Sequence, residues 1–282
     1  MTDLPPRRTS GPPSGPDVRL DPGDGDAVTY VGHATLLLRL AGTRFLTDPL
    51  LTERLLHLRR QVPLALDALA EPVDAVLISH LHHDHLHVAS LRRIDRRATM
   101  VVPRGAAGIV GALGFRDVRE LEPGDELVVG GVTVTAVHAE HDDRRHPGGP
   151  HALPLGYVLE PTDDRDEAAA GRRWWFAGDT DVHDGLPDLA PLDLALVPVW
   201  GWGPTLGDGH MDPVAAARAV ALVRARRAIP IHWGTYFPTG LAGRYADRLR
   251  DPPHEFERWA AELAPACAVT VLAPGASLSL DG

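Results

Sequence analysis

His80-Leu81-His82-His83-Asp84-His85-Leu86-His87 places five histidines and one aspartate within eight residues, directly after the apolar run Ala75 to Ser79. A continuous apolar run of that length reads as a strand buried on both faces. A loop made only to meet solvent has no reason to prefer imidazoles to ordinary charged groups. With 15 histidines in 282 residues, chance clustering is a poor account of the stretch. Imidazole and carboxylate together are the donor chemistry of zinc, manganese and iron sites, and a strand end holds them rigidly beside a cleft. On extended backbone His80 and His82 point to the same side, while Asp84 and His85, past the bend, reach a second point. One cluster can therefore serve two metals.

Working outward, Ala27 to Val31, Thr35 to Leu40 and Thr43 to Thr47 read as strands, the last two joined at Ala41-Gly42. A helix is expected near Val88 to Asp95 and a strand at Thr99 to Val102. Further strands are expected at Glu126 to Val129, Val132 to Ala136, Leu155 to Glu160, Arg173 to Ala177, Leu194 to Val199 and Ala228 to Ile231, with a helix from Pro213 to about Arg224. His141 to His151 is a polar loop, and Thr162 to Gly171 a charged insertion. Sets of strands followed by helices in both halves suggest two sheets packed face to face with helices outside.

The amino-terminal residues 1–26 hold six prolines and four glycines and few apolar side chains, so a flexible tail is expected there, followed by one domain over 27–282. No apolar run approaches the roughly 18 residues that cross a bilayer, and none follows Arg7-Arg8 as a signal peptide would require. The expected location is the cytoplasm. The formal charge of -10, from 38 acidic and 28 basic residues, lacks the footprint of a nucleic-acid binder. Every basic residue is arginine, which excludes Schiff-base and P-loop lysine chemistry. The single cysteine, Cys267, fits a reducing compartment and reads as a small packing residue.

His80, His82, Asp84 and His85 match the His-x-His-x-Asp-His hallmark, and on these residues the chain resembles the metallo-β-lactamase superfamily. Later landmarks follow in order: His141 after a strand, Asp179 in Phe176-Ala177-Gly178-Asp179-Thr180, and His232 in Ile231-His232-Trp233-Gly234-Thr235. The resemblance implies an α/β, four-layer αββα sandwich. By position it implies that His80, His82 and His141 hold one metal, Asp84, His85 and His232 a second, and that Asp179 bridges them. The implied cofactor is two divalent ions, zinc first, with manganese or iron as alternatives. Gly32-His33-Ala34-Thr35, Leu46-Thr47-Asp48-Pro49 and Gly209-His210-Met211-Asp212-Pro213 narrow the resemblance to N-acyl-phosphatidylethanolamine phospholipase D and the ascorbate-phosphate lactonases. The pattern departs from the phospholipase D-like one at His83 and His87.

Residues around the ligand set have more than one reading. Asp48 is expected to orient a histidine rather than to catalyse. His33 is either a core histidine or a wall of the cleft that meets substrate. His210 would protonate a leaving group or bind a substrate oxygen, against a plain helix-entry role. Trp200 and Trp202 would line an apolar substrate pocket or simply pack.

The expected reaction is hydrolysis of a phosphodiester, or of an ester or lactone carrying phosphate, by hydroxide activated at two metals, with Asp84 and His210 as catalytic groups. The expected substrate is a small-molecule or lipid-like phosphate ester, with no nucleic acid and no membrane span. Peripheral lipid contact and a homo-oligomer stay open. The alternatives are iron-dependent redox chemistry on the same fold, or a metal-binding scaffold without activity.

Overall fold

In the first half of the chain, period-two alternation sorts side chains onto two faces of one sheet. The computed structural model describes residues 25–64, 71–162 and 172–280. Its first strands are β1 (Ala27–Gly32), β2 (Thr35–Leu40) and β3 (Thr43–Thr47), then the short β4 (Arg54–Leu55) and β5 (Leu58–Arg60), then β6 (Ala75–Leu77), β7 (Thr99–Pro103) and β8 (Val118–Leu121). The second half supplies β9 (Glu126–Val129), β10 (Val132–His138), β11 (Leu155–Pro161), β12 (Trp174–Phe176), β13 (Leu192–Pro198), β14 (Ala225–Ile231), β15 (Tyr236–Pro238), β16 (Ala268–Val269) and β17 (Ser277–Ser279).

Two seven-stranded sheets result, in the orders β17-β1-β2-β3-β6-β7-β8 and β16-β14-β13-β12-β11-β10-β9, with a small third sheet β15-β5-β4. Phe45, Ala75, Leu77 and Val101 face the second sheet and share one core with Val134, Tyr157, Leu196 and Ile229. Their chain neighbours Leu46, Val76, Ile78, Met100 and Val102 face outward. There they pack with Leu91 of α1 (Val88–Leu91), Val110 of α2 (Ala107–Gly111) and Phe115. On the far side, α3 (Pro213–Leu222) contacts β13 and β14, and α5 (Pro252–Leu263), preceded by α4 (Ala246–Arg250), packs on α3 and β14. Helix, sheet, sheet, helix is the four-layer αββα sandwich expected from the sequence.

Strand direction gathers the chemistry on one rim. β3 and β6 run parallel, as do β12, β13 and β14. β10 and β12 are both antiparallel to β11 and so point the same way. Asp48, His80, His141, Asp179 and His232 follow the ends of β3, β6, β10, β12 and β14, and the His33-Ala34 turn follows β1.

Several expectations shift. The strand expected over Ala75 to Ser79 stops at Leu77, and the helix expected to Asp95 has only four residues. The hairpin of β4 and β5 was not expected. Its Leu55, Leu58 and Arg60 are buried, while Arg54 and Arg59 are exposed. Arg60 reaches inward to the carbonyls of Val31 and Val62 and to the Tyr236 hydroxyl. The tail expected over 1–26 lies, through residue 24, outside the described residues, as does the charged insertion over 163–171. Asp26 is buried and accepts hydrogen bonds from Ala41 N and Arg172. Cys267 is half-buried just before β16, and burial pushes its thiol up to about 11.

Candidate metal centre

Immediately past β6 the chain turns, and His80 and His82 meet His141 from the loop after β10. Nε2 of His80 lies 3.0 Å from Nδ1 of His82, and Nε2 of His141 lies 3.1 Å from that same nitrogen. The second nitrogen of His141 donates to the Gly209 carbonyl at 2.7 Å, which leaves Nε2 as a lone pair. Burial pulls the pKa of His80 well below its ordinary value and that of His141 down to about 4. Three largely neutral imidazoles whose nitrogens converge within 4.8 Å form a cation-shaped cradle.

A second cluster stands beside it. Nε2 of His85 lies 3.2 Å from Nε2 of His232, and Asp84 Oδ2 lies 3.7 Å from His85 Nε2. The outer nitrogens are taken: His85 Nδ1 bonds Asp48 Oδ2 at 2.7 Å, and His232 Nδ1 donates to the Trp200 carbonyl at 3.0 Å. Such bonds aim the remaining nitrogens inward. Burial opposes ionisation of Asp84, but the charge of His85 and a hydrogen bond from His33 outweigh it and hold its pKa well below the carboxylate range.

Asp179, in the turn after β12, lies between the clusters. Its Oδ2 is 3.1 Å from His85 Nε2, 3.3 Å from His232 Nε2 and 3.5 Å from His210 Nε2, and Asp179, His141 and His210 bring ligand atoms within 4.8 Å. Among the described residues its buried Oδ1 finds no hydrogen-bond partner. A buried carboxylate oxygen left without a donor is costly unless a cation satisfies it. The turn needs Gly178, whose φ is +64° and where a Cβ would sit 2.6 Å from that of Ser79.

His210 enters through the helix signal read in the sequence. Asp212 caps α3 by accepting from Ala215 N at 2.8 Å, and Met211 is fully buried. This leaves His210 partly exposed at the rim. Burial opposes its protonation, yet the hydrogen bond and charge of Asp179 raise its pKa to about 9.

Three residues had two readings in the sequence, packing or substrate contact. His33 is 1% exposed, its Nε2 lies 2.9 Å from Asp84 Oδ2, and His33, Asp84, His85 and His232 bring ligand atoms within 4.8 Å of one another. Trp200 is 8% exposed with its indole N–H donated to Gly203, and it meets the site through its backbone carbonyl. Trp202 packs against the Leu50, Leu55, Leu58 and Tyr236 cluster and stands edge-on to His57 at 5.3 Å. Sequence reading also missed Arg145, which donates to the carbonyls of Leu81 and Leu86 and bonds His83 Nδ1, tying the 141–151 loop onto the hallmark loop. His87 caps α1, and His146 is exposed and stacks on His83.

The donor set fits divalent cations: five imidazoles and two carboxylates, the outer nitrogens of His141, His85 and His232 held by fixed partners, and, among the described residues, one buried carboxylate oxygen without a hydrogen-bond partner. Comparison with known proteins agrees. The model of the Beta-lactamase superfamily domain matches residues 43–233, most of the chain, so the chain belongs to that superfamily and is a metal-dependent hydrolase by family. It is 32% identical over 253 residues to N-acyl-phosphatidylethanolamine-hydrolyzing phospholipase D 1 of Caenorhabditis elegans, covering 79% of this chain and 68% of that one. It is also 32% identical over 266 residues to a UPF0173 metal-dependent hydrolase of Rubrobacter xylanophilus, covering 90% and 96%. Among solved structures, Igni18, a metallo hydrolase of Ignicoccus hospitalis, superposes with a TM-score of 0.69 at 21% identity over 91% of this chain and 99% of that one. That last likeness concerns the fold. No described helix is long and apolar enough to cross a membrane.

Proposed function

We propose that the protein hydrolyses a phosphodiester, or a phosphate-bearing ester or lactone, at a pair of divalent cations, with zinc as the first choice. In this reading His80, His82 and His141 hold one cation, Asp84, His85 and His232 the other, and Asp179 both. The observation that carries it is Asp179, whose Oδ2 lies within 3.5 Å of His85, His232 and His210 and whose buried Oδ1 has no hydrogen-bond partner among the described residues, beside clusters of converging imidazole nitrogens. Cations bound there supply Lewis acidity, which makes water a nucleophile near neutral pH and neutralises charge developing on an ester oxygen.

The chain's own groups supply the rest. Asp84, oriented by His33, accepts a hydrogen bond from the attacking water and fixes its position. His210, at the rim with Nδ1 directed at the carbonyls of Gly207 and Asp208, presents Nε2 to the leaving oxygen and gives it a proton. A phosphodiester is favoured because the nematode relative is named for hydrolysing a phospholipid phosphodiester.

The test is elemental analysis of the purified protein together with turnover of bis(p-nitrophenyl) phosphate, an N-acyl-phosphatidylethanolamine and a phosphorylated lactone, before and after chelation and metal return. Close to two zinc per chain with chelator-sensitive phosphodiester cleavage is expected. Cleavage of the lactone alone moves the substrate class, and metal-independent turnover removes the reading.

A further inference from the structure

One residue in the hallmark region has no part in the reading above: Ser79, between the end of β6 and His80, 1% exposed. Its backbone N donates to Asp48 Oδ1 at 2.7 Å, and its hydroxyl lies 2.5 Å from Asp48 Oδ2 and 2.9 Å from His80 Nδ1. A serine hydroxyl has a single proton. The carboxylate oxygen can only accept, so that proton goes to Asp48, and the hydroxyl oxygen accepts from His80 Nδ1–H. This assigns the His80 tautomer: Nδ1 carries the proton and Nε2 is the lone pair turned toward His82 and His141.

The same Asp48 Oδ2 also lies 2.7 Å from His85 Nδ1, whereas the Ser79 hydroxyl is 3.5 Å from that nitrogen, at the limit of a hydrogen bond. One buried carboxylate therefore acts on both clusters, directly at His85 and through one hydroxyl at His80. Asp48, His80 and His85 also bring ligand atoms within 4.8 Å of one another. The Nδ1 atoms facing Asp48 are already engaged in these bonds, so the trio is an anchor and not a third cation site. Asp48 itself has φ +33°, a conformation that non-glycine residues rarely adopt, consistent with a backbone held for the sake of its side chain.

We infer that Ser79 is a positioning residue that ties His80 to the Asp48 carboxylate, so that a single buried anion orients one imidazole in each of the two metal triads. The inference rests on the assignment of His80 and His85 to different cations. It implies an asymmetry. Loss of the Ser79 hydroxyl frees His80 only, while loss of the Asp48 charge frees both rings.

The experiment uses the full chain. In metal-free, 15N-labelled protein near neutral pH, long-range 15N–1H NMR reads the His80 tautomer, and zinc titration against a competing chelator reads the affinities. In the wild type, His80 Nε2 is expected to give an unprotonated, pyridine-like signal. In Ser79→Ala that signal is expected to move toward the mixed-tautomer position, with one zinc affinity falling roughly 10- to 100-fold and the other staying within about threefold. Asp48→Asn is expected to weaken both, and adding Ser79→Ala to it should cost the His80 cation little more, because the two changes cut one relay.

A proton on His80 Nε2 in the wild type overturns the inference without any variant. So does a Ser79→Ala protein with both affinities unchanged, or with both lowered alike, the second being the mark of a merely structural serine. Wild-type protein that binds a single zinc would refute the two-cation assignment instead, and the His80 signal would still decide the role of Ser79.

Discussion

His85 Nε2 and His232 Nε2 face each other across 3.2 Å, each also within 3.3 Å of Asp179 Oδ2. Two imidazole lone pairs repel at that distance unless a positive charge lies between them. In the metal-free chain a proton supplies it. Burial opposes protonation of His85, but Asp179, Asp84 and Asp48 together hold its pKa well above the ordinary value, while burial keeps His232 well below. A cation must displace that proton. Zinc binding at pH 7 should release at least one proton per chain, and affinity should rise about tenfold per pH unit for each proton released. Calorimetry in two buffers of different ionisation heat checks this. Binding heats independent of the buffer would remove the picture.

The first cluster makes the opposite kind of pH statement. His141 has a pKa of about 4 in the folded chain against 6.5 for an unperturbed histidine. As pH falls from 6.5, the unfolded state takes up the proton first. Stability from this group is therefore complete above 6.5 and lost progressively down to about 4, by at most ~3 kcal/mol. His80 and His232, also depressed, act in the same direction. His210, raised to about 9, acts oppositely and loses its contribution between 6.5 and 9. Urea unfolding in excess chelator should show a steep acid limb that His141→Gln makes shallower. Parallel limbs in the two proteins would contradict the assignment.

Asp179 is predicted to be indispensable, because its Oδ2 lies within 3.5 Å of His85, His232 and His210 and it shares a converging donor group with His141. Asp179→Asn keeps the shape and removes the charge. The variant should hold at most one zinc and lose phosphodiester turnover entirely, while His146→Gln, altering an exposed ring, should match the wild type in both. Retention of full activity in Asp179→Asn would end the two-cation model.

The hallmark cluster was legible from its own residues, because five histidines and an aspartate after an apolar run announce themselves without knowledge of their partners, whereas His141, Asp179 and His232 were legible only through the family resemblance. The bounds of β2, β3 and β9 were legible too, since alternation and glycine turns are local signals. What stayed hidden acts across the fold. β4 and β5 are too short for a period to register, and they exist because β15 pairs with β5. Ser79 and Arg145 are ordinary polar residues until Asp48 and the carbonyls of Leu81 and Leu86 are placed beside them. His33, Trp200 and Trp202 keep two readings in the sequence because a local pattern does not reveal which side of a turn faces the interior.

His210→Ala separates chemistry from metal binding. The ring sits at the rim with its Nδ1 directed at backbone carbonyls, and its only carboxylate contact among the described residues is Asp179 at 3.5 Å. If Nε2 protonates the leaving oxygen, kcat should fall roughly 10²- to 10⁴-fold with two zinc retained. The loss should shrink on substrates whose leaving group needs no proton, such as p-nitrophenolate. Loss of zinc in this variant would make His210 a ligand.

Arg145 supports the hallmark loop by a fork that no other side chain reproduces. Its NH1 donates to the Leu81 carbonyl at 2.7 Å, and its NH2 lies 3.1 Å from both the Leu86 carbonyl and His83 Nδ1. Burial lowers its pKa, and a guanidinium keeps its proton in proteins. Removing it leaves two carbonyls in the loop without their donor, at a cost of about 1–3 kcal/mol. A lysine ammonium lacks the planar fork that spans both carbonyls, so Arg145→Lys should be nearly as destabilising as Arg145→Met. Urea midpoints of the zinc-free proteins measure this directly, and full rescue by lysine would show that only the charge matters at this position.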